Sequence, residues 1–334
     1  MNVTSVFLIF NVIMKRIMIT KKNECFLILI LFLFFNLSVS IECSQSYVSR
    51  VLIDANWGTE PNEFGLIKGQ EIESVGPNTF HVGRKGNVLV FDSINKNIKK
   101  YNKKGKLIGT LGDKVYGTNI ISDDNEYLYV LDGQMLKIYT STGGIVESIA
   151  ISNDIKLNEG YGEGMKMDDF GNIFVKKFNR SFQIGKRDKG KLVKLNEREH
   201  LKNEKSGMPN NKKEKWFRIK RENKHKAAIQ VMNDNGDILK EISDNISDSF
   251  GAVLFLEQDK HGFIYVEIER ISEDNYVHLE VRKYDENGNL ITVIELDNNY
   301  YTTVYKKIDV DNMGNVYQFL TTPKGVQVIK FEQQ

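Results

Sequence analysis

The sequence is poor in several things, and each scarcity excludes something. It holds only two cysteines, Cys25 and Cys43, and only four prolines in 334 residues. Cys25 falls in a segment read below as cleaved, so Cys43 would stand alone and no intramolecular disulfide is expected in the mature chain. Four prolines argue against a long extended linker. No long stretch carries a 3.6-residue apolar period, so helix is not the organising element. The five histidines, His81, His200, His225, His261 and His278, show no i, i+4 pair and no Cys/His cluster. A local zinc motif is therefore absent, and so are a Gly-x-Ser-x-Gly elbow and a phosphate-binding loop.

Charge is balanced overall and uneven locally. The formal net charge is +2. Residues 1–40 carry Lys15, Arg16, Lys21 and Lys22 against Glu24, so the rest of the chain sits near −1. That balance points to neither nucleic acid nor a membrane surface as a partner. Residues 186–226 hold 16 basic against 6 acidic residues, which leaves the remainder of the mature chain strongly acidic.

The amino-terminal segment reads as an export signal. Lys21 and Lys22 precede an unbroken apolar run from Phe26 to Phe35, and Ser38-Val39-Ser40 follows as a small-x-small site, with cleavage expected before Ile41. The run falls short of the roughly 20 residues needed to span a bilayer. Translation from Met14 or Met18 would preserve the whole signal. Membrane association is expected only through this signal or a lipid on Cys43, and the charge of Glu42 just before Cys43 argues against the lipid. The expected location is extracytoplasmic: periplasmic, cell-surface or secreted.

What the sequence does contain is a repeat. A polar turn followed by a short β-branched and aromatic strand recurs at Gly83–Val90, Asp123–Val130, Asp168–Val175, Asp259–Val266 and Asp311–Gln318. A second half-motif follows each at a similar distance, as in Ile98–Tyr101 before Lys104-Gly105, Ile229–Val231 before Asn235-Gly236 and Val281–Tyr284 before Asn287-Gly288. Asn-Gly between alternating runs predicts a tight hairpin with both turn residues at positive φ. The copies align on positions 90, 130, 175, 266 and 318, and the double interval between 175 and 266 predicts a degenerate copy around Trp216–Ile219. Repeats of 40–50 residues with several strands each predict propeller blades. The reading is an all-β chain: a six-bladed β-propeller of four-stranded antiparallel blades, one domain over 41–334. The last blade is one strand short, and Tyr47–Ile53 is expected to complete it and close the ring.

Trp57-Gly58, Glu63-Phe64-Gly65, Asp92-Ser93, Asn95 and Ile98–Tyr101 give the first blade the look of an NHL repeat, and the chain resembles that propeller family. The resemblance covers blades one to three, five and six, and is poor over 196–226. It implies a six-bladed ring with a central channel and recognition through a face of the disc.

Candidate sites are few. The turns at Asp309–Asn315 and Asp285–Asn289 lack the alternating oxygens and twelfth-position Glu of an EF-type calcium loop, so they read as structural turns. The first turn residues Gly83, Asp123, Asp168, Asp259 and Asp311, with Lys212 in blade four, form a ring in register. They are expected to cap their own turns rather than aim at the axis. His81 and His261 read as turn or half-exposed histidines. The basic segment 186–226 reads as a solvated insertion with 206–211 as its flexible tip. Its alternative role is an anionic-partner patch of Lys212, Lys213, Lys215, Arg218, Lys220 and Arg221, whose neutralisation should barely affect stability. No catalytic, cofactor-binding or metal-binding residue stands out. The expected function is a non-catalytic exported binding module for a protein or an anionic polymer, without nucleic acid. The alternative is a metal-dependent hydrolase resembling the gluconolactonase-like propellers, with one calcium or zinc ion in the channel.

Overall fold

The computed structural model describes residues 46–69, 73–112, 114–151, 155, 164–188, 191–195 and 204–334. The signal segment, Cys43 and residues 196–203 of the basic stretch lie outside them. Within them the chain runs as strands, β1 (Tyr47–Asn56) and then five complete blades and a sixth that β1 completes. Blade 1 is β2 (Thr79–Val82), β3 (Val88–Asp92), β4 (Asn97–Tyr101) and β5 (Leu107–Leu111). Blade 2 is β6 (Asn119–Ser122), β7 (Leu128–Asp132), β8 (Met135–Tyr139) and β9 (Ile145–Ala150). Blade 3 is β10 (Gly164–Met167), β11 (Asn172–Lys177), β12 (Arg180–Asp188) and β13 (Lys191–Lys194), with β14 (Glu204–Ser206) also paired to β12.

Blade 4 is β15 (Met208–Pro209), β16 (Trp216–Arg221), β17 (Lys226–Met232) and β18 (Ile238–Asn245). Blade 5 is β19 (Ser249–Gln258), β20 (Ile264–Ile271), β21 (Val277–Tyr284) and β22 (Leu290–Leu296). Blade 6 is β23 (Ile308–Val310), β24 (Val316–Thr321) and β25 (Gly325–Gln333), and β1 is its fourth strand. The β1–β25 register runs from Tyr47 opposite Gln333 to Asn56 opposite Gly325. The amino-terminal strand thus closes the ring as expected, and Leu52 and Ile53 bury their side chains in the seam so formed. Without β1, β25 would be left as the open edge of the last blade.

The core is divided among the seams between blades. Phe80, Val90, Phe319 and Val328 pack between blades 6 and 1; Leu89, Ile98, Ile120 and Val130 between blades 1 and 2. Tyr129, Ile138, Ile173 and Ile184 fill the next seam. Phe217 stacks on Phe255 at 4.4 Å between blades 4 and 5, and Tyr265 packs with Val310 between blades 5 and 6. Among the described residues, the seam between blades 3 and 4 has the smallest cluster, Phe174, Trp216 and Met232. Alternation along each strand sends one residue set to each neighbour, so a blade has two buried faces.

The disc has two unlike faces. Hairpins from first to second and from third to fourth strands lie on one, here the turn face. The second-to-third hairpins and the links between blades lie on the other, the connection face. On the turn face, each first hairpin repeats one hydrogen-bond scheme. Asp259 N–H donates to Phe263 O at 3.0 Å and Gly262 N–H to Asp259 O at 3.0 Å, and Asp123, Asp168 and Asp311 begin equivalent turns. The fourth turn position takes positive φ, at Gly86 (78°), Gly171 (78°), Gly262 (89°) and Gly314 (79°). Blades 2 and 4 put Glu126 (64°) and Lys213 (55°) there, which explains why their glycine signal is missing from the sequence.

Three expectations need correction. The Asn-Gly hairpins are not the two-residue type, because only Gly236 and Gly288 take positive φ, not Asn235 or Asn287. Asn233 Oδ1 accepts the N–H groups of Asn235 and Asp237 instead, giving a wider turn followed by a bulge. In blade 4 the first turn residue is Asn210, not Lys212: its Oδ1 accepts from Glu214 N–H (2.9 Å) and Lys215 N–H (3.2 Å). Residues 206–211 are not a flexible tip, since Met208, Pro209 and Asn210 are buried and Met208–Pro209 is the inner strand.

Candidate functional site

Side chains from the six inner strands and their neighbours surround a central cavity of about 250 Å³. Its charged groups come from different blades, and most are joined in pairs. His81 Nδ1 lies 3.1 Å from Asp309 Oδ2, and the same oxygen accepts from Val82 N–H at 2.8 Å and pairs with Lys306 at 2.8 Å. Lys166 pairs with Glu257 at 2.7 Å, and Lys307 with Glu269 at 2.7 Å. His81 is therefore a channel residue paired across the blade 6–1 seam, not a turn histidine. His261, by contrast, is a turn residue whose N–H donates to Asp259.

The environment sets the protonation of these groups. Burial pushes His81 below its ordinary value, against the opposing pull of Asp309, so the imidazole is neutral at neutral pH. Burial would raise Asp309, but the ammonium of Lys306 and the His81 ring hold it well below the usual carboxylate range. Burial raises Glu257 despite Lys166. Burial also pushes Glu267 up to about 7, with Lys307 and Lys176 opposing and Glu269 adding to the rise. The Lys176 ammonium is lowered by burial, with Glu267 opposing.

The aspartates of the turn face do something different. Asp259 Oδ1 accepts from His261 N–H (2.8 Å) and Phe263 N–H (3.0 Å), and its Oδ2 accepts from Tyr265 Oη (3.0 Å). Asp123 with Tyr129 and Asp311 with Tyr317 repeat the same arrangement, six residues apart each time. Asp168 accepts from Phe170 and Asn172 N–H groups and from Asn172 Nδ2. Each carboxylate thus binds its own turn, in the manner of a cap.

The residues do not fit the ion that the hydrolase alternative requires. A divalent ion needs several oxygen ligands converging at about 2.0–2.6 Å. Here Asp309 and Glu257 each face an ammonium group, and the four carboxylates along the cavity are matched by four lysines. Among the described residues no group of three His, Cys, Asp or Glu is placed to hold a metal.

The turn-face mouth of the channel is crossed by side chains. Arg84 of blade 1 reaches Asp169 of blade 3 at 2.7 Å and Asp124 of blade 2 at 3.3 Å. Asn211 Nδ2 donates to Asn312 Oδ1 at 2.8 Å from blade 4 to blade 6.

The six basic residues singled out in the sequence separate into two groups. Lys212, Lys213 and Lys215 lie in the first hairpin of blade 4, on the turn face. Lys220 and Arg221 end β16 on the connection face, about 20 Å away at roughly 3.3 Å per residue. Arg218 lies between them, half-buried, bonded to Gln230 Oε1 (2.8 Å from Nε) and Ser206 Oγ (3.1 Å). Arg221 donates to the carbonyls of Phe250 and Gly251 in blade 5 (3.2 Å to Gly251). Two of the six are therefore engaged in structural hydrogen bonds, which sequence composition could not reveal.

No protein-family model matches the sequence, and no curated protein does. Among solved structures, the chain is similar to virginiamycin B lyase from Staphylococcus aureus, at 13% identity and a TM-score of 0.44, over 86% of this chain and 99% of that one. A member of the duf4221 family from Bacteroides vulgatus aligns at 9% identity and a TM-score of 0.48, over 87% and 99%. The calcium-binding protein regucalcin from Agrobacterium tumefaciens aligns at 12% and 0.43, over 86% and 95%. The six-bladed propeller itself rests on the strand pairing described above.

Proposed function

We propose that the protein is an exported, non-catalytic recognition module with NHL-like blades, which engages a protein or anionic polymer through its connection face. The observation that carries this reading is a ring of exposed aromatic side chains. Tyr116, Phe178, Tyr276 and Tyr305 are 46%, 68%, 49% and 51% exposed, and all four stand on the connection face. They come from the blade 1–2 link, the second hairpins of blades 3 and 5, and the link into blade 6. Large rings left in water are favoured anchors for a partner, because they offer wide contact area at a low cost in side-chain entropy.

Phe178 adds to this, since it holds φ at 54°, a conformation that costs energy in an aromatic residue. The turn face exposes Phe170 and Met313 in its first hairpins, with Ile145, Ile238 and Leu290 exposed beside its third-to-fourth hairpins, but carries no exposed ring besides Phe170 among the described residues. Export is supported by the basic, apolar and small-residue order from Lys21 to Ser40. The non-catalytic reading is supported by the pairing of His81, Asp309 and Glu257 with fixed neighbours.

The test compares two variants on an immobilised envelope fraction. One replaces Tyr116, Phe178, Tyr276 and Tyr305 by Ser, and the other replaces Phe170 and Met313 by Ser. Retention should fall at least about tenfold for the first and stay unchanged for the second, as expected when a few aromatic anchors dominate. Equal retention of both would remove the connection face from the reading.

A further inference from the structure

We propose that Lys176 anchors a binding site for a small organic monoanion, a carboxylate with an apolar body, seated where the channel meets a cleft beside blade 4. The site borders the aromatic face and shares Phe178 with it, but the proposal is argued from Lys176 and the cleft rather than from that face.

The cleft exists because blade 4 has an unusually short inner strand. β15 is two residues long, whereas β2, β6 and β10 each have four. Where the strand is missing, a second cavity of about 270 Å³ opens between blades 3, 4 and 5. Its walls are largely apolar, from Phe178, Met208, Phe217, Ile219, Val253 and Leu254. Lys176, Met208, Leu254 and Phe255 line both this cleft and the channel, so the two spaces adjoin at these residues. The inner strand of blade 3 also makes room there. Gly164 is the register partner of Lys176, and a Cβ built on it would meet only the Lys176 Cβ, at 3.9 Å.

Charge then selects the ligand. Lys166, Lys306 and Lys307 each have a carboxylate partner within 4 Å. Among the described residues Lys176 has no such partner and makes no hydrogen bond. A half-buried ammonium with no hydrogen bond or close ion pair among the described residues, at the junction of a polar channel and an apolar cleft, is matched by an anion with an apolar tail. The carboxyl of Glu267 lines the same channel, and its charge counters the effect of burial on Lys176. Its neighbours are Lys307 and Glu269, with Lys176 facing it, and Lys166, Glu257, His81, Lys306 and Asp309 farther round the channel. Protonated, Glu267 donates a hydrogen bond to a bound carboxylate; ionised, it repels one. Affinity for the anion therefore falls as pH rises through about 7.

Octanoate, octanamide and octylamine serve as probes, titrated calorimetrically into the purified protein at pH 6 and pH 8. Octanoate should bind at least about tenfold more tightly than the amide, with its advantage greater at pH 6. Lys176→Met should abolish that ratio and leave amide binding unchanged. Leu254→Trp, which fills the junction, should weaken acid and amide alike. Equal binding of acid and amide, no binding of octanoate at millimolar concentration, or tightest binding of the amine would overturn the proposal. So would a Lys176→Met protein that melts normally and still prefers the acid. If Lys176→Met fails to melt cooperatively, Lys176→Gln and the acid-to-amide ratio of the unaltered protein decide the matter.

Discussion

Gly65 donates its backbone N–H to the carboxylate of Asp92, 3.2 Å from Oδ2 and 27 residues along the chain. Asp92 is fully buried and also accepts from Asn95 N–H (3.1 Å) and Asn95 Nδ2 (2.9 Å). Asn95 Nδ2 reaches Gly58 O at 3.1 Å, so the residues that give blade 1 its family likeness form one knot. The knot fastens the 57–65 link, which follows the closing strand, onto the first blade. Lys99 completes it, 1% exposed, with its ammonium 3.9 Å from Asp92 and 3.0 Å from Pro61 O.

Asp92→Ala should therefore be among the most damaging single changes. It strands a buried ammonium and three backbone or amide donors, and breaking a buried pair from one side costs about 3–5 kcal/mol. Asp92→Asn keeps acceptors for Gly65 and should lose less. Urea denaturation of both variants checks the order; an Asp92→Ala loss below about 1 kcal/mol would dissolve the knot argument.

Glu267 makes stability depend on pH. Its folded value is about 7 against 4.5 for the free side chain, so the native state holds the proton more tightly. The resulting stabilisation is fully present below about pH 4.5 and is lost as pH rises through 7. Its size is at most about 3 kcal/mol at 1.36 kcal/mol per unit. Glu267→Gln, neutral throughout, should gain on the unaltered protein by up to that amount between pH 5 and pH 8. A pH-independent difference between the two proteins would show that Glu267 titrates normally.

The basic residues of blade 4 should divide by position. Changing Lys212, Lys213 and Lys215 to Gln should leave stability within about 0.5 kcal/mol, as surface substitutions usually do. It should also weaken salt-sensitive retention on a sulfated matrix, which depends on clustered charge within a Debye length of about 10 Å at 0.1 M salt. Arg221→Gln should instead cost about 1–3 kcal/mol, because it leaves the Phe250 and Gly251 carbonyls without their donor. Thermal melts beside column retention separate the two effects. Loss of retention from Lys220→Gln alone would show that matrix binding does not run through the turn-face lysines.

The sequence by itself determined the propeller, because each blade is written in local chemistry. Asp123, Asp168, Asp259 and Asp311 each cap a turn through N–H groups two and four residues on, and that pattern is visible in a single repeat. The closing strand was legible for a related reason: β25 needed an edge partner, and Tyr47–Ile53 was an unpaired run of the right kind. Only the tertiary structure decided the channel. His81 and Asp309 are 228 residues apart, and Lys166 and Glu257 are 91 apart. Along a strand, each is one more polar residue at an alternating position, indistinguishable from one facing water. Ring closure turns those positions inward together, and the two-residue inner strand of blade 4 then leaves a cleft beside Lys176. Turns are fixed by residues within reach of one another along the chain; the channel is fixed by which blades become neighbours.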